Sequence, residues 1–455
     1  MKRSHKIALS LLLLVALAFA MSTMSFALDV DVDMSKVNMK GSITCIIILV
    51  VAFALFFTEA LPLGVTAMLV PVALSFPGIN ILTKKQAFAN FGEQWVVTFM
   101  GMFMVGEAIF QTGLAKKIGD AILKVAGNTQ RRLILVMGAA LGIMSAFLSN
   151  SATMALFAPV IVATAKEAGL KASKVIMPMA FLICIGGNMT LMGASSKGVI
   201  NGLMENYGIG GFKFFDYTPI GVCFFIVALL YFALIGWRLL PDRTADETSE
   251  SSMTNEVKEY NYAKMPIAAV TFAAMIIAIA AEWIAPNTGA MLGMCIVVAT
   301  GCISMKDAYK AVNWNTIFLF AGMLALGDAL VKTGADVLIA SKLLSAVNSP
   351  VAALTAVFVA TCIITNFMSN TAAASVATPI GISAATLMGV SPLPFCMAIG
   401  IGASLCFLTP VATPSNTIAY GLAGYKFSDF AKCGGLLQLI MIIEGVILLP
   451  IFFPF

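Results

Sequence analysis

Two short polar runs, Ser149-Asn150-Ser151-Ala152-Thr153 and Ser369-Asn370-Thr371-Ala372-Ala373, stand about 220 residues apart. Each lies inside an apolar stretch and is followed at the same distance by a proline, Pro159 or Pro379. Ser, Asn and Thr supply hydroxyl and carboxamide groups that can cap a helix, ligate a hard cation or donate to an anion. A polar triplet at membrane depth is costly unless it is bonded to something. Two copies point to one binding site assembled from two halves. The competing reading, for either copy taken alone, is an ordinary cap on a broken helix.

The elements that carry these runs follow from composition. With 60% hydrophobic and 11% charged residues, the chain is an all-α polytopic membrane protein, because its apolar blocks are continuous rather than alternating. Spans are expected near 43–58, 62–78, 95–114, 217–239, 265–284, 288–304, 315–331 and 433–453. Hairpins are expected at 133–165 and 350–388, and broken spans at 176–204 and 393–421. The hairpin arms, about 15 residues each, are short for a full crossing, which favours re-entrant loops with tips near mid-membrane. The segment 1–40 reads either as an uncleaved first helix (7–27) or as a cleaved signal peptide, followed by the external acids Asp29, Asp31 and Asp33. The polar stretch 241–264 is a cytoplasmic linker that divides a first repeat, 41–240, from a second, 265–455.

The repeat extends beyond the polar runs. Trp95, Gly101, Gly106, Glu107, Thr112 and Gly113 are echoed by Trp314, Gly322, Gly327, Asp328, Thr333 and Gly334. Five spans per unit, with a re-entrant hairpin in each, would invert the second copy in the membrane. Placing the N-terminus in the cytoplasm and the C-terminus outside puts most of the 27 Lys and Arg, among them Lys116, Lys124, Arg131, Lys174 and Arg238, on the cytoplasmic side. Lys197 is the one basic residue that no loop accommodates.

At each hairpin tip one helix ends and another starts. The ending helix presents unpaired carbonyls to a cation, and the starting helix presents unpaired N–H groups to an anion. Partner segments interrupt the neighbouring spans: Gly186-Gly187 and Gly193-Ala194-Ser195-Ser196-Lys197-Gly198 in the first half, and Thr409-Pro410 with Ala412-Thr413-Pro414-Ser415-Asn416 in the second. Glycine and proline break the helical ladder there and free backbone groups beside the tips.

With these residues the chain resembles the divalent anion–sodium symporter family of the ion transporter superfamily. The matches are Thr58-Glu59-Ala60-Leu61-Pro62, Val65-Thr66-Ala67, the two Ser-Asn-Thr-type tips and Ala412-Thr413-Pro414, over residues 43 to the C-terminus. The resemblance implies a plasma-membrane homodimer whose protomers have a scaffold and a mobile transport domain working as an elevator. It also implies a small dianion such as a C4-dicarboxylate, held by Asn150, Ser151, Asn370, Thr371, Thr413 and Pro414. One sodium ion would sit near Ser145, Ser149, Asn150 and the Gly193 carbonyl, a second near Thr365, Met368, Asn370 and the Ala412 carbonyl.

The chain departs from the family pattern at Ser151, at Met368 and, above all, where the family's first half carries Gly-Thr-Pro-Pro-Asn and this chain has Gly193-Ala194-Ser195-Ser196-Lys197. An ammonium inside the membrane costs at least ~2.5 kcal/mol on insertion scales, so Lys197 must be paired or wet. It either replaces or perturbs the first sodium, or attracts the anion directly, or else it snorkels to the surface. The first readings would favour sodium-independent exchange or proton coupling. Citrate transport and sodium/proton antiport are further superfamily activities to weigh.

Other classes fit poorly. His5 is the only histidine, and the nine cysteines form no CxxC pair, which argues against zinc, haem or disulfide chemistry. No constellation suited to an enzyme is visible, and no GxxxxGK[ST] loop suggests ATP-driven pumping. No nucleic-acid partner is expected. Glu107 and Asp328, at matching repeat positions, read as caps or domain contacts, with a proton relay as the alternative; Glu59, Glu282 and Glu444 are the remaining acids assigned to spans.

Overall fold

The computed structural model describes residues 37–118, 129–243 and 260–455, together with Ala121 and Gly127 and without Glu59, Ala346 and Asn348. The first helix or signal segment at 7–27, the acidic stretch behind it, Glu59, Lys124 and most of the linker lie outside the described residues. Every regular element among the described residues is a helix.

The first half begins with α1 (Met39–Thr58), α2 (Leu63–Ser75), α3 (Lys84–Ala89) and α4 (Gln94–Gln111). Next come the hairpin arms α5 (Gln130–Ser145) and α6 (Asn150–Glu167) and the broken pair α7 (Ile176–Gly186) and α8 (Ser195–Asn206). The half closes with α9 (Thr218–Tyr231), prolonged by a π-helical turn at Phe232–Gly236. The second half runs α10 (Met265–Ala280), α11 (Pro286–Ala299), α12 (Met305–Ala311), α13 (Trp314–Thr333) and α14 (Ala335–Leu344). It continues with hairpin arms α15 (Pro350–Ile364) and α16 (Asn370–Leu387), broken pair α17 (Leu393–Gly402) and α18 (Pro414–Leu422), and finally α19 (Phe427–Phe452). Among the described residues, six helical segments are long and apolar enough to cross a membrane, and α2, α11, α15 and α17 are shorter apolar helices.

Each span and hairpin expected between 43 and 453 is thus helical. The unexpected elements are the short helices. α3 starts on a capping box in which Thr83 and Gln86 bond each other's backbone N–H. α14 follows Gly334, which stands at φ +76°, where a side chain is strained; its repeat counterpart Gly113 has the same φ of +76°. Glu282, expected within a span, instead sits in the turn after α10 and pairs with Lys213 at 2.8 Å.

The halves interlock rather than lying side by side. α4 of the first half packs on α11 of the second, and α13 of the second packs on α2 of the first. The repeated glycines make these approaches possible. A Cβ at Gly101 would lie 2.7 Å from the Ala290 carbonyl oxygen, and one at Gly322 would lie 2.2 Å from that of Ala67. The end of α8 is also tied to distant segments, one in its own half and two in the other. Glu205 accepts from Gln94 at 2.6 Å, Asn206 donates to Asp328 at 2.6 Å, and the next residue, Tyr207, donates to Asp336 at 2.5 Å. Asp328 also accepts from Asn90, and Asp336 from Ser383. The carboxyl of Asp328, expected as a cap or domain contact, is therefore a contact between segments. Glu107 accepts locally from Gln111 at 3.0 Å.

Candidate substrate and cation site

The two polar runs form helix starts of nearly the same shape. Ser149 (φ −61°, ψ 144°) caps α6 by accepting from the Ala152 N–H at 3.3 Å, and Ser369 (φ −61°, ψ 145°) caps α16 through Ala372 N–H at 3.3 Å. Behind each tip a hydroxyl from the end of the first arm meets the tip asparagine. Ser145 Oγ is 2.7 Å from the Asn150 amide, and Thr365 Oγ1 is 3.0 Å from Asn370 Oδ1. A threonine of the broken span then holds a tip carbonyl: the Thr190 hydroxyl donates to Ala146 O, and the Thr409 hydroxyl to Asn366 O.

The first tip carries a concentration of oxygens. One end of the Asn150 amide faces Ser145 Oγ at 2.7 Å, Gly193 O at 3.1 Å and Ile183 O at 3.3 Å. With its NH2 turned this way Asn150 donates to all three; with its oxygen turned this way the four groups form an oxygen-only cluster of the kind that suits a hard cation. Crowding here excludes side chains: a Cβ on Gly187 would lie 2.3 Å from the Asn150 amide, and one on Gly193 would lie 2.3 Å from Gly187 O. Of the residues named for a first sodium, Ser145, Asn150 and Gly193 meet here together with Ile183 O, whereas the Ser149 hydroxyl is engaged as the cap of α6.

Between the tips lies a cavity of about 390 Å³. Ser149, Asn150, Ser151, Gly193, Met368, Asn370, Thr371, Ala412, Thr413 and Pro414 all line it. Ser145 and Thr365 stand behind the asparagines rather than on the wall. Among the described residues six helices, α2, α6, α8, α13, α16 and α18, begin at this cavity, so several sets of unpaired N–H groups border it. None of the described lining residues is charged. Recognition of an anion here would rest on helix starts, amides and hydroxyls.

Lys197 requires a correction. It neither snorkels nor lines the cavity: it is 0% exposed, and its ammonium donates at 2.7 Å to both Gly187 O and Thr190 O, with Nζ 4.4 Å from the centre of the Tyr217 ring. The second half has the same device. Asn416 Nδ2 donates to Cys406 O at 2.7 Å and Thr409 O at 3.2 Å, again reaching back 10 and 7 residues. Lys197 thus stands in the place of an asparagine that binds the carbonyls freed by the helix break. In this structure its ammonium is held on these two carbonyls and is not part of the cavity wall.

Sequence reasoning missed two contributors. Ser195 lines the cavity and bonds across it to Thr371. Asn313, Asn315 and Thr316 bring the start of α13 to the wall, with Asn313 capping the Thr316 N–H at 3.2 Å. The polar run Asn313-Trp314-Asn315-Thr316 ahead of an apolar span was the available signal.

Comparison with known proteins fits this geometry. The family model described as citrate transporter matches residues 53–385 and 336–455. An uncharacterized transporter of Synechocystis is 23% identical over 89% of this chain and 96% of its own length. A sodium-dependent dicarboxylate transporter of Staphylococcus saprophyticus is 24% identical over 88% and 83%. The crystal structure of the YdaH transporter of Alcanivorax borkumensis shares the fold, with a TM-score of 0.61 at 14% identity, covering 90% of this chain and 98% of that one. Family and relatives are transporters rather than enzymes. The chain belongs to the citrate transporter family.

Proposed function

We propose that this membrane transporter carries small dianions of the C4-dicarboxylate type by sodium-coupled symport. The observation that supports this reading best is the cavity between the two hairpin tips, bordered by six helix starts and, among the described residues, by no charged side chain. The carboxylates would lie on the N–H groups and side chains of Asn150-Ser151 and Asn370-Thr371, with Thr413 and Pro414 closing the second half. Sodium ions would use Ser145, Ser149, Asn150 and Gly193 O in the first half, and Thr365, Met368, Asn370 and Ala412 O in the second. A relative named as a sodium-dependent dicarboxylate transporter supports both the anion class and the ion. Citrate is the larger anion to test beside it, given the family description. The two halves would act as inverted repeats in a plasma-membrane homodimer, N-terminus inside and C-terminus outside, with the hairpins moving as an elevator.

The buried Lys197 favours a second reading, sodium-independent exchange. A protonated Lys197 beside the first tip would repel an incoming sodium ion and supply part of its charge. Uptake of labelled succinate into proteoliposomes separates the two. Uptake driven by an inward sodium gradient alone supports symport, and uptake only against internal dianion supports exchange. Absence of saturable succinate or citrate uptake under every condition would overturn the substrate class.

A further inference from the structure

The cavity is asymmetric at one point that concerns specificity. Ser195 and Pro414 hold the same register: each is the first residue of its helix, two residues before Lys197 or Asn416, whose matching reaches to carbonyls 10 and 7 residues back align the two segments. In the second half the proline has neither an N–H nor a hydroxyl. In the first half Ser195 has both, and its Oγ stands 2.9 Å from Thr371 Oγ1 of the opposite tip. Both residues line the cavity.

The helix does not need this hydroxyl. Proline is well tolerated at a first helical position, and α8 starts without a side-chain cap. The bond joins the broken span of one half to the hairpin tip of the other. In a hydroxyl pair one O–H is used internally, and the second remains free to donate. The first-turn N–H of Ser195 also lacks an intrahelical partner. At this register Ser195 therefore offers a hydroxyl and an N–H that Pro414 lacks, while on the second half's edge the neighbouring Thr413 hydroxyl is paired with Ser415 Oγ at 3.3 Å.

We propose that Ser195 and Thr371 form a hydroxyl subsite that favours dianions carrying a hydroxyl between their carboxylates over unsubstituted dianions of the same length. The proposal rests on the dianion reading above. A neutral hydrogen bond of this kind corresponds to about a fivefold preference.

The test is competition in proteoliposomes containing the full chain: labelled succinate uptake inhibited by unlabelled malate or by unlabelled succinate. The wild type is expected to bind malate about fivefold more tightly. Ser195→Ala and Ser195→Pro are each expected to lose affinity for malate more than for succinate, bringing the ratio towards one, and thermal unfolding in detergent reports whether each variant is folded. Ser195→Pro is the safer variant, since α18 already starts with proline. A wild type without malate preference, or folded variants that keep the ratio, would overturn the subsite. A wild type that takes up no dianion would overturn the transport reading instead.

Discussion

The tips of the two hairpins and the broken spans that lean on them have diverged to different degrees. Ser149 and Ser369 cap their helices with the same dihedral angles and the same 3.3 Å bond, and the bonded threonines Thr190 and Thr409 serve matching tip carbonyls. The broken spans keep the same carbonyl-binding geometry but change its chemistry, an ammonium in Lys197 against an amide in Asn416. Backbone groups freed by a helix break must be bonded whatever the function, so this geometry is constrained in both halves. The charge on the group that bonds them is free to vary, and there the halves differ.

The comparison can be broken most strongly at the tips. Asn150→Ala and Asn370→Ala are each expected to reduce uptake at least about tenfold, because each removes a hydrogen-bonding group from the cavity wall. A large loss in only one variant would mean that the tips do unequal work. The next effect concerns the bonded carbonyls. Lys197→Met leaves Gly187 O and Thr190 O without their donor, at about 1–3 kcal/mol for each orphaned group, whereas Lys197→Asn installs the second half's own donor and should cost less. Thermal unfolding of both variants in detergent orders them, and an equal loss would remove the equivalence with Asn416. The smallest effect is the most symmetric: Ser149→Ala and Ser369→Ala should each cost about 1 kcal/mol of stability, and the same amount in both halves. Unequal shifts in the unfolding midpoint would show that one tip is held by more than its cap.

Much of this arrangement was legible in the residues. Continuous apolar blocks placed the spans, and polar runs flanked by short arms placed the hairpins, because hydrocarbon leaves the backbone few alternatives. The tip residues marked the cavity wall, whereas the glycines at 101 and 322 read only as matching repeat positions, and their close helix approaches show in the packing. What escaped depended on where long or distant side chains end. Lys197 looked unplaced because nothing in the sequence states that its ammonium folds back onto Gly187 O and Thr190 O. Ser195 and Thr371 are 176 residues apart, and only packing brings their hydroxyls together. The short helices α3, α12 and α14 were too brief to give a periodic signal.

The reciprocal packing of α4 on α11 and α13 on α2 has a consequence for biosynthesis. While the second half is still being made, Gly101 has no Ala290 to receive, and Asn206 and Tyr207 have neither Asp328 nor Asp336 to bond. The newly inserted first half therefore waits in the bilayer as a set of helices with open seams, and assembly is completed only after residue 336 has been added. A chain cut within the linker would have to be rescued by its missing piece supplied in trans, each fragment acting as the other's template.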